Sequence, residues 1–208
     1  MLLLALAQVL LPRIAASVIS SRVGRYGKVQ SVSVSAWPAV KLLWGSVDSI
    51  KVRAGSLAVQ PAQAAKLLWE SHDVARMDVS AEHVRVGTLA LSDAHLSKRD
   101  GVLSAQAQAG ASAVTAALPS GFSVQLLKSE GGKVEVEASG GFFGVGASVD
   151  AVGEASAGKL VAHPLGFLVE GFRLTLFSDP HVYVEGVGAQ VVRREPLTYE
   201  LSMSASLR

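Results

Sequence analysis

Apolar and polar residues alternate along most of the chain after Tyr26. The last segment shows the pattern without interruption, since every second residue from Leu197 to Leu207 is apolar and the residues between them are polar. The same alternation marks five earlier segments, at 31–36, 50–54, 76–81, 133–138 and 172–176. Strict alternation is typical of antiparallel strands that have one buried and one solvated face. The pattern therefore predicts a mainly antiparallel sheet.

In the first part of the chain the apolar residues recur every three or four positions, which is the spacing of a helix. Leu11, Ile14 and Val18 share this spacing. We therefore expect one amphipathic helix over residues 3–24. Pro12 has no N–H to donate, so the helix either kinks there or begins near it. A helix that begins near residue 8 would be about 25 Å long.

Two further helices and several turns are predicted between the strands. Pro61 suits the first position of a short helix through Trp69, and a second short helix is expected at 112–118. The pairs Asp100-Gly101 and Gly131-Gly132 suit tight hairpins. No linker-like segment divides the sequence, so we predict a single domain over 1–208, with its helix at 1–24 and a β-rich body at 28–208.

The length of the strands raises the question of what covers their apolar faces. Twelve extended residues span about 40 Å, which is more than the N-terminal helix can cover. The sheet either folds over on itself as a sandwich or curls around the helix and leaves an elongated cavity. Many inward positions are Val, Ala or Gly, which leave room, and apolar cavities commonly hold apolar ligands.

The composition excludes several classes of function. Hydrophobic residues make up 50% of the chain and charged residues only 17%, against about 25% charged in an average soluble domain. A net charge of +2 is too small to indicate nucleic-acid binding, which needs a clustered basic face. The absence of Cys excludes disulfides, thiolate catalysis and cysteine-based zinc sites.

Catalytic and metal-binding patterns are weak. Asp93 and His95 are two apart on a predicted strand, but a metal site needs three or four convergent ligands. No G-x-S-x-G elbow is present, although a triad can assemble across a fold. The glycine-rich run 141–146 lacks the Lys-Ser/Thr of a phosphate loop. It is better explained as a bent strand whose Phe142 and Phe143 belong either to the core or to a ligand site.

A four-residue sequence occurs twice and places two tryptophans in similar surroundings. Lys-Leu-Leu-Trp ends at Trp44 and again at Trp69. Either two connecting segments share a composition, or both tryptophans are anchors at a membrane interface, where Trp is favoured.

Basic residues gather where the helix is expected to end, at Arg22, Arg25 and Lys28. They either complement the helix dipole or contact anionic headgroups.

The stretch Ala7–Gly55 carries a recognisable pattern, AQVLLPRIAASVISSRVGRYGKVQSVSVSAWPAVKLLWGSVDSIKVRAG. It resembles the LmeA-like phospholipid-binding family of bacterial cell-envelope proteins. Looser agreement continues through the predicted strand at 134–138 and through Gly158-Lys159-Leu160. The resemblance implies an α+β fold of the tubular lipid-binding type, in which a long, curved, mainly antiparallel sheet wraps the N-terminal helix, with two or three short helices. It also implies phospholipid binding.

We therefore predict a protein, not an enzyme, that needs no cofactor or metal and binds a phospholipid or another acyl lipid in an elongated apolar cavity. Its other expected partner is a membrane surface, with no role for nucleic acid. The alternative is a structural or protein-interaction β-domain with a solid core. The predicted lipid-lining residues are Leu11, Ile14, Val18, Val34, Val52, Phe142, Phe143, Phe172, Leu174, Leu201 and Met203. The predicted membrane or headgroup contacts are Arg22, Arg25, Lys28, Trp44 and Trp69.

The resemblance also implies a location in the cell envelope. The apolar start of the sequence, residues 1–11, is shorter than the roughly 20 residues that span a bilayer and lacks the charged region of a secretory signal. We expect the natural chain to begin further upstream and to carry its export signal there.

Overall fold

A computed structural model describes residues 2–44, 46–142, 145–166 and 173–208. The N-terminal helix α1 is Leu2–Val23 and continues into a 3₁₀ turn, Gly24–Tyr26. A second 3₁₀ segment is Ala39–Trp44, and the two short helices are α2, Pro61–Glu70, and α3, Ala111–Ala117. All three predicted helices are confirmed.

The strands divide between two open sheets, where alternation alone suggested one. In order across the larger sheet lie β1 (Gly27–Ser35), β2 (Ser49–Val59), β3 (Arg76–Val86), β4 (Leu89–Arg99), β5 (Val102–Gly110), β12 (Leu197–Leu207) and β11 (Val182–Arg194). In order across the smaller sheet lie β10 (Leu174–Phe177), β9 (Lys159–Pro164), β8 (Val145–Ser156), β7 (Lys133–Phe142) and β6 (Phe122–Glu130). The pair β2–β3 is parallel and α2 connects it, whereas the other described pairs are antiparallel. The α+β, mainly antiparallel fold class is confirmed.

One row of residues in register crosses all seven strands of the larger sheet and is buried throughout. From β1 to β11 this buried row is Val34, Ile50, Met77, Lys98, Leu103, Ala205 and Val184. Ile19 and Val23 of α1 and Leu68 of α2 pack against it. The helices therefore cover much of this row, and Phe177 of the smaller sheet packs on the cluster that contains Leu103 and Ala205.

Lys98 is the one charged residue of the buried row, and it ties α2 to the sheet. Its side chain is 1% exposed, and Nζ donates hydrogen bonds to the carbonyl oxygens of Ser71 (2.6 Å), His72 (2.8 Å) and Val74 (2.6 Å). These carbonyls follow the end of α2, where a positive charge also complements the helix dipole. Burial lowers the pKa of Lys98, and Asp73 and Asp100 partly oppose that shift.

In the middle of β2, β3 and β4 the side-chain alternation shifts by one residue, so that odd and even positions exchange faces. Counting every second residue in the sequence does not show this shift. The pairings Gly55–Glu82 and Glu82–Asp93 are absent from otherwise regular ladders, and β4 shifts register against β5 between Ser92 and His95. Asp93 has a positive φ of 49°. An extra residue at one level reverses the side-chain alternation. Apolar residues on both sides of the shift therefore face the same way.

The turns of the smaller sheet meet the free edge of the larger one. Gly158 and Gly132 accept hydrogen bonds from the N–H groups of Val184 (2.9 Å) and Val187 (3.0 Å), and Ser129 Oγ accepts one from Ala189 N–H (2.9 Å). Unpaired edges invite association with other chains, so covering one is a common protective device.

Replacing Lys98 should destabilise the protein strongly. Lys98→Met leaves three carbonyl oxygens, one buried and two partly buried, without their donor, and we expect the free energy of unfolding in urea to fall by about 2–4 kcal/mol. Lys51→Met is the matched control, because Lys51 is exposed on β2 and such a change costs about 0.5 kcal/mol or less. Equal losses in the two variants would contradict the role given to Lys98.

Candidate functional site

The level of the larger sheet next to the buried row is apolar on all seven strands, but its cover is incomplete. From β1 to β11 the residues in register are Val32, Val52, Val79, Leu96, Ala105, Met203 and Val187. Val52 is buried, and Val32, Val79 and Leu96 pack against the buried cluster that contains it, as do Ile19 and Val23 of α1. Ala105, Met203 and Val187 are only half-buried. This level of the sheet is therefore less buried at β5, β12 and β11 than on the side where α1 packs.

The following level is formed mostly by alanine. We call Ala54, Ala81, Ala94, Ala107 and Ala189 the alanine row. The first three are paired in register across β2, β3 and β4, and Leu201 of β12 lies between the last two. Because an alanine side chain ends at Cβ, this level lies lower than the rows of larger side chains beside it. The arrangement makes a shallow apolar channel, which is closed over the buried Ala54 and Ala81.

Part of this channel is open on β5, β12 and β11. The half-buried residues there, which we call the apolar window, are Ala105, Ala107, Val187, Ala189, Leu201 and Met203. Leu103 and Ala205 bound the window on one side, Ala109 and Tyr199 on the other, and these four are buried. The window offers no charge or hydrogen-bonding side chain. It can bind only through burial of apolar area and dispersion contacts.

The structure brings some of the predicted lining residues together and separates others. Leu201 and Met203 lie side by side in the apolar window. Val34 and Val52 face the same way but are buried at the α1 side of the sheet. Leu11 is half-buried on α1.

Other predicted lining residues lie away from the window. Ile14 and Val18 are on the exposed side of α1, so apolar residues interrupt the polar face expected of that helix. Leu174 is exposed on β10. The side chain of Phe142, and Phe143 and Phe172 altogether, lie outside the described residues.

The smaller sheet carries a second apolar surface that sequence reasoning did not propose as a site. Val124, Ala138 and Val149 are in register and half-buried. The next level is likewise half-buried and consists of Leu126, Val136, Ala151 and Pro164. The alternation of β6 and β7 in the sequence is the signal that could have found this surface.

Four of the five residues predicted to contact a membrane are exposed, and the fifth is packed against other rings. Arg22, Arg25 and Lys28 are exposed near one another in the chain, and Trp44 is 77% exposed. Trp69 instead lies between two imidazole rings, stacked on His72 and His181 with centroid distances of 4.8 and 4.2 Å. That stacking holds the ring of Trp69, near the end of α2, against His181.

Two open, mainly polar grooves border the apolar window and the alanine row. Asp93 and His95 line a groove of about 330 Å³ with Arg53 and Glu82, and Ala54, Ala81 and Ala94 of the alanine row also line it. A second groove, of about 430 Å³, lies at the junction of the sheets. It is lined mainly by Ser and Gly, and Val187 and Met203 of the window also line it. Within the described residues no three His, Asp or Glu side chains are grouped as metal ligands.

One ion-pair group lies on the smaller sheet. The carboxylate of Glu154 contacts Lys133 Nζ at 2.6 Å and His163 Nε2 at 3.2 Å. The hydrogen bond from Lys133 lowers the pKa of Glu154, while partial burial opposes the shift and His163 adds to it. The three side chains connect β7, β8 and β9, so the group has a clear structural role.

None of the helices among the described residues is long and apolar enough to cross a bilayer. The fold and the site together define a class of protein: an α+β chain with open sheets whose helices leave part of an apolar face uncovered. The model of the LmeA-like phospholipid-binding family matches residues 3–200, so the chain belongs to that family. No curated protein and no solved structure matches the chain. The family membership expected from the sequence is confirmed, and the family's description indicates lipid binding.

Truncating a residue of the apolar window should cost less stability than truncating a core residue. Leu103→Ala removes a fully buried side chain and should lower the free energy of unfolding by about 2–5 kcal/mol. Leu201→Ala in lipid-free protein should cost about half of that or less, because Leu201 already contacts water. Urea unfolding of the two variants measures the difference. A cost for Leu201→Ala equal to that of Leu103→Ala would mean that the window is ordinary core.

Proposed function

We propose that the protein binds the acyl chain of a phospholipid along the apolar window and the alanine row, and that it does so at a membrane surface in the cell envelope. One observation carries the proposal. Three adjacent strands present six apolar side chains in register, half-buried, between the buried pairs Leu103–Ala205 and Ala109–Tyr199.

The chemistry of the window suits a chain of methylene groups. Each buried CH₂ contributes about 0.8 kcal/mol, so even a part of an acyl chain would bind appreciably. The small side chains of Ala107 and Ala189 leave space beside Leu201. Met203 supplies a flexible thioether that adapts to an irregular ligand.

A non-enzymatic role in lipid handling agrees with the family's description as phospholipid-binding. The proposal assigns no catalytic residue, because the window contains no titratable or nucleophilic side chain. A carrier or sensor of lipid needs only this reversible burial of an acyl chain.

The first test is extraction of lipid from the purified protein, with native mass spectrometry to measure the bound mass. We expect phospholipid to accompany the natural protein. Ala107→Phe fills the alanine row and should reduce the bound fraction several-fold. Gln106→Phe is the matched control, because Gln106 is the next residue on the same strand and points to the opposite, exposed face. It should leave bound lipid unchanged.

Two results would overturn the proposal. One is a protein that carries no phospholipid and takes none up from vesicles. The other is an equal loss of lipid in both phenylalanine variants when their melting temperatures show that they remain folded.

The cell-envelope location has its own test. The protein expressed in its native host should fractionate with the envelope and should be accessible to protease added outside the cytoplasmic membrane. Recovery of the protein in a protease-protected cytoplasmic fraction would contradict this part of the proposal.

A further inference from the structure

Positive charge is concentrated in the first part of the chain. Residues 1–47 contain no acidic residue, so all 17 acidic residues of the protein lie at Asp48 or later. The basic residues of this part are Arg13, Arg22, Arg25, Lys28 and Lys41. The first four are exposed, and within the described part of the chain none of these four forms an ion pair. The region of α1 and early β1 therefore presents uncompensated positive charge.

The same region exposes large apolar side chains. On α1, Leu10, Ile14 and Val18 follow one another at four-residue spacing, so they form one stripe along the helix, and all three are exposed. Trp37 is 74% exposed, and Leu43 and Trp44 are similarly exposed. Single exposed apolar residues are ordinary, but a cluster of them marks an interaction surface.

The exposed tryptophans are held in place by ordered backbone. The carboxylate of Asp48 accepts a hydrogen bond from Trp37 N–H at 2.6 Å and pairs with Lys41 Nζ at 3.7 Å. Lys41 N–H donates to the carbonyl oxygen of Pro38 at 3.1 Å. Helix α1 packs against this segment. The aromatic rings thus extend from a fixed platform beside the helix.

We infer that these residues form a docking face for an anionic lipid bilayer. The docking face consists of Leu10, Ile14, Val18, Trp37, Leu43 and Trp44, together with the cations Arg13, Arg22, Arg25 and Lys28. Tryptophan is favoured where headgroups meet acyl chains, and each nearby Lys or Arg adds attraction to anionic headgroups. The docking face extends the proposed function. It rests on that function in one respect, namely that the bound lipid comes from a membrane.

The charge of the docking face favours an anionic bilayer over a second copy of the chain as its binding partner. A symmetric dimer through the docking face would place the same positive surface opposite itself. Four unpaired cations on each side would then repel one another. A negatively charged bilayer offers the complementary sign.

Vesicle cosedimentation tests the docking face. We expect the protein to bind vesicles of phosphatidylcholine and phosphatidylglycerol and to bind pure phosphatidylcholine at least several-fold less. The triple variant Arg22→Gln, Arg25→Gln, Lys28→Gln should lose binding by about tenfold or more. A control triple with the same change in net charge, Arg85→Gln, Arg99→Gln, Lys159→Gln, removes exposed cations elsewhere and should retain most of the binding.

Quenching by brominated phospholipids locates the tryptophans. Trp69→Phe leaves Trp37 and Trp44, whose fluorescence should be quenched on vesicle binding. Trp37→Phe with Trp44→Phe leaves Trp69 alone, which should be quenched little. Equal binding to both vesicle types, equal loss in the two triple variants, or quenching of Trp69 alone would overturn the docking face. So would a dimer, detected without vesicles, that Trp37→Ala with Trp44→Ala dissociates.

Separate variants should weaken lipid binding in the window and vesicle binding at the docking face. Ala107→Phe should lose extracted phospholipid and still bind anionic vesicles. Trp37→Ala with Trp44→Ala should keep the phospholipid acquired during expression and bind vesicles weakly. A variant pair in which both properties always change together would contradict the separate docking face.

Discussion

Seven strands in register present one apolar face that has to be kept from water, and the described helices cover it unevenly. Burial of apolar area drives folding, so the position of each helix decides which part of the face is core. Residues of α1 and α2 pack on the clusters that contain Ile50, Met77, Leu103 and Ala205 of the buried row. The two neighbouring rows are only half-buried on β5, β12 and β11, and these half-buried residues form the apolar window.

Lys98 ties the end of α2 to the larger sheet. A charge inside an apolar row is tolerated because three carbonyl oxygens at the end of α2 accept its hydrogen bonds. The same bonds hold α2 at the level of the buried row. Leu68 packs on the buried cluster that contains Leu103 and Ala205. A buried lysine thus helps to hold the helix that fills this part of the core.

Much of the fold could be predicted from the pattern of residues. The alternation from Leu197 to Leu207 placed Leu201 and Met203 on the apolar face, and the helical spacing around Leu11 found α1. The division into two sheets could not be predicted, because it depends on which distant strands pair, such as β5 with β12. The phase change was also hidden, since an extra residue at Asp93 becomes visible only against the register of β5.

The candidate site was predictable only in part, for a related reason. Which apolar residues face one side follows from alternation, but which of them a helix covers depends on tertiary packing. Val52 and Met203 are equivalent in the sequence pattern, and they occupy the same row. The first lies under α1, whereas the second is half-exposed.

The chain's few methionines allow the most direct measurement of the central claim. Met77 is in the buried row and Met203 is in the apolar window, and Met1 is the third methionine of the sequence. With ¹³C-methyl labelling, the Met203 methyl signal should broaden strongly when a phospholipid with a spin label on its acyl chain binds. The Met77 signal should broaden much less, because a covering helix keeps lipid away from it. Equal broadening of both signals, or no change at Met203 while the lipid is bound, would contradict an acyl-chain site in the window.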